Sequence, residues 1–280
     1  MSTCRLLIAT VCLLSCALSS WAAEYKSFNE ALNAGSKLAR DKQYTEAQVA
    51  LEAALKLAAN DDERLKAWQA LVTPYRQLPE ITKMLEAQEF IIAHAEQRAR
   101  RSIAARDVAS FLHQRGQLDA AVTRYEAALQ KNPRDLVALN ILTVIHKNKN
   151  DREKSGAFEQ RLESVNLELA QKVAEKHEAA AAAATATQAW FWKEAALAWL
   201  EANDKARALA AAKKSLAAPP EARSGLLTFY WRNGLGEAFL QAGDAKAAIT
   251  QFEAAAELAP SKNHRDDVEK KMAEAKAANK

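Results

Sequence analysis

The sequence predicts an all-α protein in which antiparallel helix pairs follow one another along the chain. Two observations support this class. Only 7 Gly and 6 Pro occur among 280 residues, while alanine, the strongest helix former, is abundant and β-branched residues are sparse. A spacing of small and aromatic residues also recurs along the chain, with turn-forming residues between its halves. Each half is long enough for one short helix, so each copy predicts a helical hairpin.

The clearest copy of this spacing runs from Phe229 to Lys262. Within a unit of 34 residues, its positions 7, 8, 11, 20, 24, 27 and 32 are occupied by Leu235, Gly236, Phe239, Ala248, Phe252, Ala255 and Pro260. This spacing resembles one tetratricopeptide repeat. The small residues let the two helices approach, and we expect Gly236 to admit a neighbouring backbone. Gly243-Asp244 is expected to end the first helix and cap the second.

Further copies precede this one, and the last is followed by a helix with a single apolar stripe. We place them at Phe28–Asp61, Leu65–Arg98, Ser102–Asp135, Leu136–Leu169 and from Ala189 onward. The second and fourth copies depart from the pattern in their second helices. The resemblance therefore implies a right-handed superhelical solenoid of about six antiparallel helix pairs. The C-terminal stretch, 263–280, is expected to form a capping helix that carries Val268, Met272 and Ala275 on one face.

The predicted domains follow from this arrangement. Residues 23–169 hold repeats one to four, and residues 189–262 hold repeats five and six. The alanine-rich stretch 170–188 lies between them. Alanine favours a helical extension there, whereas Thr185-Ala186-Thr187 is weakly helical and favours a hinge, so both interpretations stay open.

The first 22 residues have the features of a bacterial signal peptide. Arg5 precedes an apolar run from Leu6 to Ser19, and Ser20-Trp21-Ala22 offers small residues for cleavage before Ala23. That run is too short for a membrane span. We therefore predict an exported protein, periplasmic or secreted. Cleavage would remove Cys4, Cys12 and Cys16, which excludes disulfide chemistry from the mature chain.

An alternative N-terminus concerns Cys16. Leu13-Leu14-Ser15-Cys16 resembles a bacterial lipobox, in which the cysteine becomes lipidated, although Leu14 stands where a small residue is preferred. Cleavage after Ala22 is the favoured interpretation. The alternative function would be that of a lipid-anchored component of envelope assembly.

The sequence offers no support for catalysis, cofactors or nucleic-acid binding. The net charge of +4 is spread over interspersed acidic and basic residues, which is typical of a solvated surface. The five histidines are scattered without a His-Glu-x-x-His spacing, so no metal site is expected. Neither a phosphate-binding loop nor a nucleophile elbow is present. An accessory subunit of an enzyme complex remains a second alternative function.

The resemblance implies where a partner would bind. In tetratricopeptide repeat proteins the first helix of each repeat lines a concave groove, through positions near 2, 5, 9, 12 and 13. On this chain the candidate groove residues at those positions are Lys66, Gln69, Thr73, Arg76, Arg106, Ser110, His113, Asn140, Lys147, Trp190, Lys193, Tyr230, Asn233 and Glu237.

These residues predict a polar, mildly basic wall in repeats two to four and a partly aromatic wall in repeats five and six. Lysine and arginine in such a wall suit acidic or C-terminal carboxylate groups of a peptide. The asparagines do not have the spacing of the carboxylate clamp of chaperone-binding family members, so a chaperone tail is not expected. The predicted function is a non-catalytic scaffold for protein–protein interaction.

Overall fold

The computed structural model describes residues 25–78, 80–184, 186–218 and 224–279. These residues form helices and turns, without a β-strand, so the all-α prediction is confirmed. The predicted signal peptide, the lipobox, Pro79 and Pro219-Pro220 lie outside the described residues. The right-handed superhelix and the exact number of repeats stay predictions.

The chain divides into two compact units, and the first contains residues up to Ala95 together with Ala99–Phe158. Its helices are α1 (Phe28–Arg40), α2 (Tyr44–Leu57), α3 (Asp61–Gln77), α4 (Ile81–His94), α5 (Arg98–Gln114), α6 (Leu118–Lys131) and α7 (Leu136–Asn148), followed by the start of α8 (Arg152–Ala183).

The second unit contains Glu96–Arg98 and the residues from Glu159 onward. It includes most of α8, then α9 (Gln188–Glu201), α10 (Lys205–Ala217), α11 (Gly225–Ala242), α12 (Ala245–Glu257) and α13 (Lys262–Ala278). The division falls within α8, ahead of the alanine-rich stretch where the sequence places a helical extension or hinge. That stretch is helical up to Ala183, and the predicted domain bounds stay a prediction.

Five hairpins share one turn at the same place in the repeat. Position 15 has a positive φ in each, and the residues there are Lys42, Gly116, Asn150, Asn203 and Gly243. In every case its N–H donates to the carbonyl of position 12, and the next N–H donates to the carbonyl of position 11 over 2.8–3.0 Å. This is the Schellman arrangement, which satisfies the last carbonyls of a helix. The turn predicted at Gly243-Asp244 is confirmed.

The residue after this turn often caps the second helix. The carboxylates of Asp151, Asp204 and Asp244 accept from the backbone N–H three residues later, over 3.1, 2.9 and 3.0 Å. Such a cap satisfies one of the free donors at a helix N-terminus. The predicted capping role of Asp244 is confirmed, and the second helix in each of these three hairpins has a side-chain cap.

The interior of the last hairpin depends on a small residue that faces a large one. A Cβ added at Gly236 would lie 2.5 Å from Cδ1 of Phe252, so the ring lies directly on the backbone of α11. Our expectation that Gly236 admits a second backbone is wrong, because the Phe252 side chain itself fills the space. Gly35 has the same relation to Leu51, whose Cγ would lie 2.5 Å from an added Cβ.

Neighbouring hairpins of the first unit are linked by partly buried polar contacts, in which the acceptor is a glutamate at position 25 of the repeat. The Glu52 carboxylate accepts from the Tyr75 hydroxyl (3.0 Å) and from Lys83 Nζ (2.9 Å). Glu89, one repeat later, accepts from the Tyr125 hydroxyl over 2.6 Å. Burial, together with the neighbouring carboxylate, raises the pKa of both tyrosines well above its ordinary value. Both phenols therefore stay protonated and act as donors.

The C-terminal helix closes the apolar interior of the second unit. Val268 and Ala275 of α13 are fully buried and belong to the same cluster as Phe252 and Phe239, with Met272 packed against it. The remaining faces of α13 are mostly exposed. Helix α13 thus has the buried stripe and polar back that the sequence predicts for a cap.

A membrane-crossing helix is not found in the described part of the chain. Within residues 25–78, 80–184, 186–218 and 224–279, no helix combines enough length with enough apolar character to cross a membrane.

Glu96 links the short segment before α5 to helix α8 within the second unit. Its carboxylate accepts from His177 Nε2 (3.1 Å) and from Lys176 Nζ (2.8 Å). The hydrogen bond from His177, followed by that from Lys176, lowers the pKa of Glu96 from its ordinary value of 4.5 to about 2, against an opposing effect of burial.

The pH dependence of stability should report this contact. A carboxylate with a lowered pKa stabilises the fold fully above its unfolded pKa, and this contribution is lost as the pH falls from 4.5 to about 2. We predict that Glu96→Gln flattens the fall in the free energy of unfolding across that window. Urea denaturation at several pH values measures it, and a slope equal to that of the wild type would contradict the assignment.

Two helical glycines give a matched test of the hairpin packing. Gly236→Ala should destabilise the protein by about 1–3 kcal/mol, because the new methyl group overpacks against Phe252. Gly156 of α8 has nothing within 4 Å of an added Cβ, so Gly156→Ala should stabilise by about 0.5–1 kcal/mol through helix propensity. Urea denaturation compares the two. Equal effects would show that Phe252 does not constrain position 236.

Candidate interaction surface

The predicted binding residues of repeats two and three form two rows on neighbouring helices. Helix α3 carries the first row and helix α5 the second, and residues three or four apart lie on one helix face. All but one of these side chains are exposed, and Gln69 is partly buried. The rows comprise Lys66, Gln69, Thr73 and Arg76 on α3, and Arg106, Ser110 and His113 on α5.

Two polar contacts join these helices side by side. Arg76 Nη2 of α3 lies 2.6 Å from Asp107 Oδ2 of α5. Nearer the start of both helices, Arg100 Nη1 donates to Gln69 Oε1 over 3.1 Å. The two rows are therefore adjacent, and we call the face that they form the α3–α5 surface.

A cavity of about 150 Å³ opens at one end of the α3–α5 surface. Two predicted residues line it, and four others complete the wall. The lining residues are Arg76, Met84, Asp107, Ser110, Phe111 and Gln114. Met84 and Phe111 supply apolar walls, whereas the other four supply hydrogen-bonding groups.

Asp107 is the best-anchored polar group of this cavity. Its Oδ2 accepts from Arg76 Nη2 and from Gln88 Nε2, the latter over 3.0 Å. Gln88 is only 3% exposed and replaces the aromatic residue expected at position 24 of repeat two. At this position the Gln88 amide supplies a buried donor to Asp107. One departure of repeat two from the repeat pattern, Gln88, thus holds a residue that lines the cavity.

The charge of the α3–α5 surface is positive. Asp107 is neutralised by Arg76, as the 2.6 Å contact shows. Lys66 and Arg106 are exposed and make no ion pair with any residue in the part of the chain that the structure describes. Their charges are therefore directed to solvent and can act on a ligand.

For two residues the prediction of partner binding is wrong, because their side chains are buried. Asn140 is 3% exposed, and its Nδ2 donates to the Leu136 carbonyl over 2.7 Å. Lys193 is 5% exposed. Its side chain crosses α11 at Gly234, where a Cβ added to the glycine would lie 2.8 Å from Cδ of Lys193. Since that crossing turns Lys193 inward, it does not belong to an open wall.

The ammonium group of Lys193 is engaged inside the second unit. Its Nζ lies 2.5 Å from Glu194 Oε1 and 3.8 Å from the centre of the Trp190 ring. The indole of Trp190 therefore stacks on a buried cation, and it is itself partly buried. The aromatic character of this region serves internal packing.

The remaining predicted residues are divided between the two units. In the second unit, Glu237 accepts from Lys271 Nζ of α13 over 2.6 Å, and Asn233 is partly buried. Tyr230 is 44% exposed, with its hydroxyl 3.5 Å from His264 Nε2. In the first unit, Lys147 of α7 is exposed. The structure thus places seven of the predicted residues on the α3–α5 surface, and the other seven lie elsewhere in the two units.

Sequence reasoning missed several residues of this surface. Ile103 is 52% exposed and holds position 2 of repeat three, so the rule that selected Lys66 selects it too. Asp107, Phe111 and Gln114 face the cavity from α5. Met84 faces the cavity from α4. Gln114 holds position 13 of repeat three, so the groove rule selects it as well. No signal in the sequence separates Met84, Asp107 and Phe111 from ordinary core or surface positions.

A metal centre is absent from the described residues. Within residues 25–78, 80–184, 186–218 and 224–279, no group of three or more His, Cys, Asp or Glu side chains could hold a metal ion.

Comparison with known proteins finds structural similarity to tetratricopeptide repeat proteins. One is a tetratricopeptide repeat protein from Parabacteroides merdae, at 15% identity and a TM-score of 0.31, covering 92% of this chain and 89% of that chain. Another is a thermophilic tetratricopeptide repeat protein of Thermus thermophilus, at 19% identity and a TM-score of 0.35, covering 89% of this chain and 98% of that chain. No protein-family model and no curated protein matches the sequence.

Substitutions at the cavity should separate its buried hydrogen bond from its exposed ion pair. Asp107→Ala leaves the buried Nε2 of Gln88 without its acceptor, which should cost about 1–3 kcal/mol of unfolding free energy. Arg76→Met removes only a half-exposed ion pair and should cost less than about 1 kcal/mol. Asp107→Asn is the control, because it keeps an acceptor oxygen. Urea denaturation measures all three, and a larger loss for Arg76→Met than for Asp107→Ala would contradict this arrangement.

Proposed function

We propose that this protein is a non-catalytic scaffold that binds a peptide segment of a protein partner on the α3–α5 surface. The observation that carries the proposal is the pair of exposed polar rows beside a cavity, in which Lys66 and Arg106 make no ion pair with any described residue. Two adjacent helices present such rows along a common direction, so an extended or helical segment can contact both.

The charge of the surface favours an acidic partner. Carboxylates of aspartate, glutamate or a chain end would accept from Lys66 and Arg106, and charge-assisted hydrogen bonds of this kind are stronger than neutral ones. Arginine can hold a carboxylate in a two-pronged contact, which also sets the orientation of the segment. Exposed charges are screened by salt, so the binding should weaken as ionic strength rises.

Charge reversal tests the proposed surface. Peptides selected on the full chain from a displayed random library should be acidic, and Lys66→Glu with Arg106→Glu should weaken their binding at least about tenfold. The matched control is Lys56→Glu with Lys131→Glu, which makes the same charge change at exposed residues of α2 and α6. Fluorescence anisotropy gives the affinities, and far-UV circular dichroism should show unchanged helicity. Equal losses in both double variants would remove the proposed surface.

We further propose that the scaffold works outside the cytoplasm, in the cell envelope or secreted. This rests on the basic residue, apolar run and small-residue cleavage site of the first 22 residues. A periplasmic or secreted scaffold would meet its partner after export. The alternative, a lipid anchor at Cys16, would place the same surface beside a membrane.

The mature N-terminus distinguishes the two forms of export. We predict that the protein purified from a bacterial envelope begins at Ala23, because Ser20 and Ala22 supply the small residues that cleavage requires. Mass spectrometry of the intact protein measures it. A chain beginning at a diacylated Cys16 would support the lipid anchor instead, and an uncleaved Met1 would contradict export by this segment.

A further inference from the structure

We infer that the cavity between α3 and α5 receives one tyrosine side chain of the partner segment, and this inference rests on the proposed function. Three features of the cavity support it: its size, the chemistry of its walls and the charges that are already neutralised there.

The volume fits a single aromatic ring. The cavity measures about 150 Å³, and a protein cavity of that volume can hold a benzene-sized molecule. Met84 and Phe111 form its apolar walls. A ring inserted there would contact a thioether and another ring, and both contacts are favourable.

The polar walls exclude purely apolar and charged side chains. Arg76, Asp107, Ser110 and Gln114 also line the cavity, and an alkyl or phenyl group would desolvate them without replacing their hydrogen bonds to water. A second cation would lie beside the Arg76 guanidinium, since Arg76 already neutralises Asp107. A carboxylate would lie beside Asp107, and the cation of the lining, Arg76, already pairs with that residue.

A neutral phenol satisfies both kinds of wall. Asp107 uses Oδ2 for its bonds to Arg76 and Gln88, and a carboxylate has further acceptor sites on its other oxygen. The hydroxyl of a tyrosine can donate to these sites or to the Gln114 amide oxygen, while Ser110 can donate to the phenol oxygen. Tyrosine is also frequent among interface residues that contribute most to affinity.

The probe for this site is p-cresol, which reproduces the tyrosine side chain. The full chain labelled with ¹³C-methyl methionine has reporters at Met1, Met84 and Met272, of which Met84 lines the cavity. We expect p-cresol to shift the Met84 methyl resonance saturably and to leave that of Met272 in place. It should bind about fivefold more tightly than toluene, the effect of one net hydrogen bond.

Variants make this expectation falsifiable. Ser110→Phe places a ring into the cavity from an exposed position and should abolish the Met84 response. Thr123→Phe, at an exposed residue of α6 outside the cavity, should preserve it. Toluene that binds as tightly as p-cresol, or a Ser110→Phe variant that responds like the wild type, would overturn the inference.

The outcome is separable from that of the proposed function. A protein that binds acidic peptides through Lys66 and Arg106, but whose Met84 resonance does not respond to p-cresol, contradicts the tyrosine site alone. A saturable p-cresol response supports the site, even where charge reversal leaves peptide binding unchanged and so contradicts the proposed surface.

Discussion

The Schellman turn at repeat position 15 is the constraint on which the hairpins depend. It ends the first helix with a residue of positive φ and returns two N–H groups to that helix, which fixes where the second helix begins. Because it recurs at Lys42, Gly116, Asn150, Asn203 and Gly243, five hairpins have the same register. Small residues of the first helix then lie opposite large residues of the second helix, as Gly236 lies opposite Phe252. A shift of one residue would rotate the second helix by about 100° and separate these partners.

The candidate surface joins one hairpin that has this turn to one that differs from it. Repeat three has the turn at Gly116, and the first helix of repeat two lies beside the first helix of repeat three through the contact between Arg76 and Asp107. Residues that need no internal partner, such as Lys66 and Arg106, then fall on one face. In repeat two, position 24 is occupied by Gln88 instead of an aromatic residue, and the Gln88 amide donates to Asp107. Gln88 therefore has two roles, because it is buried within the hairpin and also donates to the cavity residue Asp107.

The sequence predicted the fold well because turns and small residues are local signals. Positive φ, helix capping and the spacing of alanine are properties of one segment, so Gly243, Asp244 and Ala248 could be assigned without coordinates. The candidate site was predictable only in part, since accessibility depends on neighbouring helices. Asn140 and Lys193 hold the positions of groove residues, yet packing buries both. The role of Asp107 depends on donors 31 and 19 residues away, which no local pattern reveals.

Site-specific photocrosslinking in cells that produce the protein tests the central claim, that the α3–α5 surface binds a protein partner. A photoreactive phenylalanine in place of Thr73, on α3, should capture a partner at a defined mass. The same residue in place of Thr123, on α6, should not, although both positions are exposed. A common crosslink from both positions, or a crosslink from Thr123 alone, would contradict the claim.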